Sequence, residues 1–366
     1  MSIKTKNEIP KNSITIPEDL LGALAQAVPG QKSPLSPLNI KDSKSTPNKM
    51  SQLKETGILD TMGQVKNEYR QMIDTLAKAR TVTSLRYTAG SRFYELIVSF
   101  PDAKNQPTVS ALHNNNQLII ETPAAIEEAF TVIDQSMGHS KLSSNNFFAK
   151  LTQEEAITLF ALMDLARSSN LHALADGTPL KNAAFDLPAI INKVINAKET
   201  FQSLAYVIQD QLELSVPTSA PQVEEGLEKL VAKNLVNQKN SKYQLSEELS
   251  LVAGRLPIID GYLTAETGKL TSDGKLIYGN FTALQAGVND ILYFEKHPEE
   301  IIVKSATGMQ VAGLVAKFLN EPDTIKPPQN TTSTKTQPSK KFCRKCGNPV
   351  EPNTKFCENC GNQIFA

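Results

Sequence analysis

Every cysteine of the 366-residue chain lies between positions 343 and 360, in two copies of one short pattern: FCRKCGN and FCENCGN. Cys343 and Cys346 form one Cys-x2-Cys pair, Cys357 and Cys360 the other, with ten residues between them. A Cys-x2-Cys turn can bring both sulfurs to a single ion, and the glycine that follows each pair supplies the positive φ that a tight knuckle requires. Two such knuckles make a tetrahedral four-thiolate site. Four thiolates fill the coordination sphere and leave no open position for a catalytic water, so the expected role is structural.

Residues 342–364 resemble the short zinc-ribbon domains appended to many prokaryotic proteins, which implies one structural Zn2+ per chain held by Cys343, Cys346, Cys357 and Cys360. An iron-bound rubredoxin-like site and a pair of disulfides are the rival readings of the same four residues. About 25 residues bury too little apolar surface to fold unaided. Phe342, Val350, Phe356 and Ile364 make only a miniature core, so the metal must supply most of the folding energy, roughly 10–16 kcal/mol in comparable peptides.

Outside that window, chemistry is hard to find. The chain has no Walker A loop, no Gly-x-Gly-x-x-Gly after a strand, no His-Glu-x-x-His and no Gly-x-Ser-x-Gly. Its four histidines, His113, His139, His172 and His297, are scattered. His139-Ser140 reads as a loop after a helix, and His113, beside an Asn run, as a solvated turn residue. Asp164 and Arg167, at i and i+3 of a helix, read as a surface ion pair rather than an acid/base dyad. No catalytic residue is assigned, and no enzyme is expected.

The elements that carry the cysteine unit read as α+β: two β-β-β-α segments flank a helical block. Residues 1–54, rich in Pro, Ser, Lys and Asn, are expected to be a mostly disordered basic tail, with 14–28 as an exception able to form a short docking helix. In 55–140, Met62, Val65, Tyr69, Met72, Ile73 and Leu76 share one stripe of a helix over 60–80. A strand over 93–100, a hairpin over 108–122 and a helix over 124–137 follow. The order recurs in 257–320: a hairpin around Asp273-Gly274, a second hairpin around His297-Pro298, and a helix over 307–319. The strand-to-helix passages LIIETPAAIEEAFTVI and IIVKSATGMQVAGLVA align in their apolar positions, which a duplication would explain.

Between them, 141–256 is helical. Thr152 and Glu155 form a capping box, and further helices are expected over 186–197 and 203–212. A helix bearing Val223, Leu227, Leu230 and Val231 then runs into Leu235-Val236, a polar KNSK turn and Tyr243-Gln-Leu245. Helix followed by two-stranded wing is similar to the back half of a winged-helix domain. Residues 321–341 are a polar, Pro/Thr-rich linker, so the zinc ribbon of 342–366 sits on a tether. Paired sheet-and-helix halves around a helical middle also resemble, in architecture, the substrate chaperones associated with type VII secretion. Those quasi-twofold α+β proteins do not generally end in a zinc ribbon.

Charge separates the possible partners. The chain is formally neutral, yet 1–54 carries 8 Lys/Arg against 4 Asp/Glu and 322–366 carries 7 against 3, leaving 55–321 at 23 against 31. A domain that reads phosphates ordinarily shows a basic face. Here the winged-helix-like stretch 217–256 is balanced, five against five, and its expected recognition segment holds Glu224, Glu225 and Glu228 against Lys229 and Lys233. A protein-docking adaptor or chaperone is therefore the first reading and a nucleic-acid-binding regulator the second. No apolar run approaches 18 residues, and the N-terminus lacks the apolar core of a signal peptide. Clustered thiols suit a reducing compartment, so a cytoplasmic location is expected. Whether the two β-β-β-α segments share one sheet or pair two chains, and with it the homo-oligomeric state, is left open by the sequence.

Overall fold

In the computed structural model, residues 12–40, 47–103, 106–138, 140–196, 202–287 and 289–322 are described, with the backbone of 341–342 and 349–350. The chain forms two compact units, Met1–Pro328 and Gln329–Ala366.

The larger unit contains one pattern twice. Strand β1 (Asn12–Pro17) leads through a 3-10 turn (Glu18–Leu20) to α1 (Leu21–Ala27), α2 (Pro47–Glu55) and α3 (Asn67–Lys78). A four-stranded meander follows: β2 (Thr81–Ala89), β3 (Arg92–Phe100), β4 (Val109–Asn114) and β5 (Gln117–Thr122). Helix α4 (Ile126–Met137) closes this half. The second half starts again with a short strand, β6 (Phe148–Leu151). Its helical insert is longer: α5 (Gln153–Ala175), β7 (Ala184–Asp186), α6 (Leu187–Ile195), α7 (Leu204–Leu212), α8 (Ala220–Ala232), β8 (Val236–Lys239), β9 (Lys242–Leu245) and α9 (Glu247–Arg255). The second meander is β10 (Gly261–Leu270), β11 (Leu276–Ala286), β12 (Asp290–Lys296) and β13 (Ile301–Ala306), closed by α10 (Gly308–Asn320).

Ten strands join in one sheet, in the order β1-β5-β4-β3-β2-β10-β11-β12-β13-β6. Read outward from the middle, each side runs through its meander and ends on its own leading strand. The halves meet through antiparallel β2 and β10, from Thr81 opposite Lys269 to Thr88 opposite Tyr262. An antiparallel central pair with matching order on both sides gives the sheet a pseudo-twofold axis perpendicular to its plane. The two β-α segments thus share one sheet, and each contains four strands rather than three.

Alternation along each strand sorts side chains between two faces. On one face, Leu85, Leu96, Val98, Leu263, Ala265, Phe281, Ala283 and Tyr293 pack under α4 and α10. Phe281 meets Phe318 of α10 edge-on at 5.2 Å, and Thr83 Oγ1 donates to the Phe318 carbonyl at 3.0 Å. The other face carries both helical inserts. Ile14, Ile16, Val109, Ala111, Leu118 and Ile120 pack under α1 to α3, and Leu284, Leu292, Phe294, Ile301 and Val303 under the second insert.

Helix α5 organises that second insert. Ala156 to Met163 are buried without interruption, the mark of a helix surrounded on all sides rather than amphipathic. Phe160 meets Phe294 of the sheet edge-on at 5.2 Å. The expected capping box is present: Glu155 N donates to Thr152 Oγ1 and Thr152 N to Glu155 Oε2. A three-stranded sheet, in the order β7-β9-β8, lies within the same insert, with Tyr243 and Leu245 of β9 buried in its core.

Two expectations fail in the first half. Most of the supposed disordered tail is built into the fold: β1 pairs with β5 over six residues, and Leu20, Leu24, Val28, Leu38 and Leu53 are buried. Only a short alternation of isoleucines was needed, and composition averages over it. The helix expected over 60–80 begins at Asn67. Gly63 adopts φ +82°, Asp60 Oδ1 accepts from Gln64 N, and a bridge from Leu59 to Val65 closes the turn, leaving Met62 80% exposed.

Helices α4 and α10 meet at their ends, where Gly308 leaves no room for a side chain. A Cβ there would collide with the carbonyl oxygen of Gly138 and stand 2.7 Å from that of Met137. Alanine favours a helix over glycine by about 1 kcal/mol, but here the obstacle is backbone. Gly308→Ala should therefore lower the unfolding free energy, by about 1–3 kcal/mol, read as a shift in urea midpoint.

Candidate metal centre and buried polar groups

The four cysteines lie outside the described residues. What is described is a short hairpin in the smaller unit: β14 (Lys341–Phe342) pairs antiparallel with β15 (Pro349–Val350), Lys341 opposite Val350 and Phe342 opposite Pro349. These strands bracket Cys343 and Cys346 in sequence. The donor set fits zinc on its chemistry: four soft thiolates with no oxygen ligand select Zn or iron–sulfur chemistry over hard cations. Bound zinc would supply folding energy to the unit through Cys343, Cys346, Cys357 and Cys360. Among the described residues, no cluster of three or more His, Cys, Asp or Glu side chains is placed to hold a metal.

The histidines take different positions from those expected. His113 is a strand residue of β4, half-buried on the face that carries the inserts. Its Nδ1 lies 2.8 Å from Glu18 Oε1 and its Nε2 3.6 Å from Glu95 Oε2, so it ties the turn after β1 to β3. The Asn run that suggested a solvated turn begins one residue later, and Asn115 and Asn116 make the turn with positive φ. His172 is exposed on α5, and His297 sits in the β12–β13 turn with its amide donating to Glu300 O at 2.8 Å. His139 is outside the described residues. Ser140 Oγ donates to Leu142 O.

Asp164 and Arg167 are not on the surface: they are 5% and 4% exposed. Asp164 accepts from Arg167 Nη1 at 2.7 Å, from Ser203 Oγ at 2.9 Å and from Leu204 N at 3.0 Å. It thereby satisfies backbone donors at the start of α7, which otherwise lack partners. Arg167 donates onward to the carbonyls of Leu256, Gln202 and Pro257. Burial lowers the Arg167 pKa, and the Asp164 carboxylate opposes that shift. One ion pair therefore holds α5, the start of α7 and the segment after α9 together. The spacing was legible in the sequence; the burial was not, because Ser203 and Leu256 are remote in the chain. The donors and acceptors around the pair come from α5, the start of α7 and the segment after α9.

Removing one member of such a pair strands the other. Asp164→Ala should cost about 3–5 kcal/mol of stability, whereas Asp164→Leu combined with Arg167→Met should cost less than that single change. Chemical denaturation of both variants checks the order.

Comparison with known proteins agrees with the donor set. No curated protein matches the chain. The zinc-ribbon domain family matches residues 342–364, the window that contains both Cys-x2-Cys knuckles.

Proposed function

We propose that this chain is a non-enzymatic, zinc-binding adaptor or chaperone-like protein, which docks protein partners through its α+β core and a zinc ribbon at its C-terminal end. The observation that carries this reading is the pairing of a closed four-thiolate donor set, in a zinc-ribbon match at 342–364, with an acidic body. Such a metal site builds a small folded head and performs no reaction. The 23 Lys/Arg against 31 Asp/Glu of residues 55–321 repel a phosphate backbone and suit partners with basic surfaces. The palindromic strand order of the sheet supports the chaperone-like form, since quasi-twofold α+β architecture is what that resemblance implies.

A winged-helix nucleic-acid-binding regulator is the second reading. What favours it is α8 followed by the β8–β9 hairpin, with β7 paired to β9. Against it, Glu225 of α8 already pairs with Lys229 at 2.7 Å, and Lys233 Nζ is held by Glu155 Oε2 and the Lys150 carbonyl. Lys229 and Lys233, the two lysines of the expected recognition segment, are thus paired within the protein.

Two measurements test these readings. A thiol-blocking mercurial should release one zinc per chain as four thiols react, and Cys346→Ser should reduce zinc retention. Loss of the metal should leave the thermal transition of the larger unit in place. Zinc-loaded protein should show no binding to random duplex or single-stranded oligonucleotides tighter than about 10 μM in low salt. Tighter binding with a steep salt dependence would move the assignment to the regulator.

A further inference from the structure

The face of the sheet that carries both inserts is apolar beneath each of them and polar between them. At its centre, over β2 and β10, lie Ser84, Arg86 and Thr88, with Thr264 and Glu266 beside them. Arg86 stands opposite Thr264 on one side and Glu95 on the other. Glu266 stands opposite Asn280, and Tyr278 opposite Gly268. The end of α7 and the β12–β13 turn rise beside this floor and enclose a cleft of about 610 Å³, which Arg86, Glu213, Glu266, Tyr278 and Asn280 line.

Two of the polar groups around the cleft are held within the protein. Thr264 Oγ1 bonds to Gln211 Oε1 and to Thr282 Oγ1. Lys296 Nζ is spent on the carbonyls of Leu212 and Glu213 at the end of α7. Glu266 differs: it is a half-buried carboxyl with no hydrogen-bond partner among the described residues. Burial raises its pKa, Arg86 opposes the rise and Glu213 adds to it. A half-buried carboxyl without a partner is costly unless something else supplies the counter-charge. In the strand register Arg86 stands opposite Thr264 and Glu95 rather than Glu266, so it compensates only in part. Tyr278, 44% exposed, presents an aromatic side chain at the same cleft, within electrostatic reach of Glu266 and Glu213.

We propose that the cleft over β2 and β10 receives an arginine side chain from a partner polypeptide, its guanidinium on the Glu266 carboxylate and against Tyr278, with Glu213 at the rim. A planar, weakly hydrated guanidinium suits a carboxylate beside an aromatic ring better than an ammonium does. The Asn280 amide, without a side-chain hydrogen-bond partner among the described residues, can bond the main chain that delivers it. This assignment rests on the protein-docking reading above and names the chemistry of the partner.

The test uses full-length zinc-loaded protein and the capped peptide acetyl-Gly-Ser-Arg-Ser-Gly-amide, with citrulline in place of arginine as the neutral counterpart, followed by calorimetry and NMR. The arginine peptide should saturate, and the citrulline peptide should bind at least about tenfold more weakly, as should the arginine peptide to Glu266→Gln, a loss of about 1.4 kcal/mol. Arg86→Gln should tighten binding by removing a competing cation. Glu213→Gln, an exposed change that leaves the floor intact, should weaken binding and serves if Glu266→Gln does not fold. Equal binding of the two peptides, indifference to both glutamate changes, no saturation, or loss of binding in Arg86→Gln would each overturn the assignment. Agmatine binding as tightly as the peptide would overturn the polypeptide source in favour of a free guanidine. A partner protein retained equally by wild type and Glu266→Gln would sink the cleft assignment while leaving the adaptor reading standing.

Discussion

The antiparallel pairing of β2 with β10 is the constraint on which the larger unit depends. Each meander alone would offer its first strand as a bare edge, with a row of unpaired amides and carbonyls open to any other strand. Joining the two edges removes both at once and fixes where everything else lies. Because the pair is antiparallel, the two inserts fall on one face and the two closing helices on the other. Thr83 and Thr267 mark the join, their hydroxyls 2.8 Å apart on the face beneath α10.

That geometry accounts for the uneven chemistry of the sheet. Under α4 and α10 the closing helices meet across the axis, and the core is continuous. On the opposite face each insert covers its own half, and the strip between them keeps polar residues: Arg86, Glu95 and Glu266, with His113 bridging to Glu18. The polar strip is a by-product of two separate layers meeting over one sheet. It is also the place where charged side chains retain access to solvent.

The sequence disclosed what depends on local spacing. The cysteine knuckles, the Thr152–Glu155 capping box and the Asp273-Gly274 turn can each be read from a few adjacent residues, because the physics that forms them acts over that distance. Residues whose role depends on distant partners were not legible. Asp164 and Arg167 look the same in sequence whether solvated or buried beneath Ser203 and Leu256. Strand β2, TVTSLRYTA, went unread because its alternating polar positions face the strip between the inserts, so neither face reads as a continuous apolar run. β1 was hidden by its polar, proline-rich surroundings, although Ile14 and Ile16 alternate as a strand should.

The two outermost strands have a consequence for the order of assembly. Each is the first element of its half to be made, yet each pairs with the last strand of its meander: β1 with β5, and β6 with β13. From Asn12 to its partner Thr122 the ribosome must add roughly 100 residues, about 5–20 s of synthesis, before β1 can find its place. The interval from β6 to β13 is longer. In each half the sheet is therefore sealed by its oldest segment, and until then the early strand waits on the helices it carries.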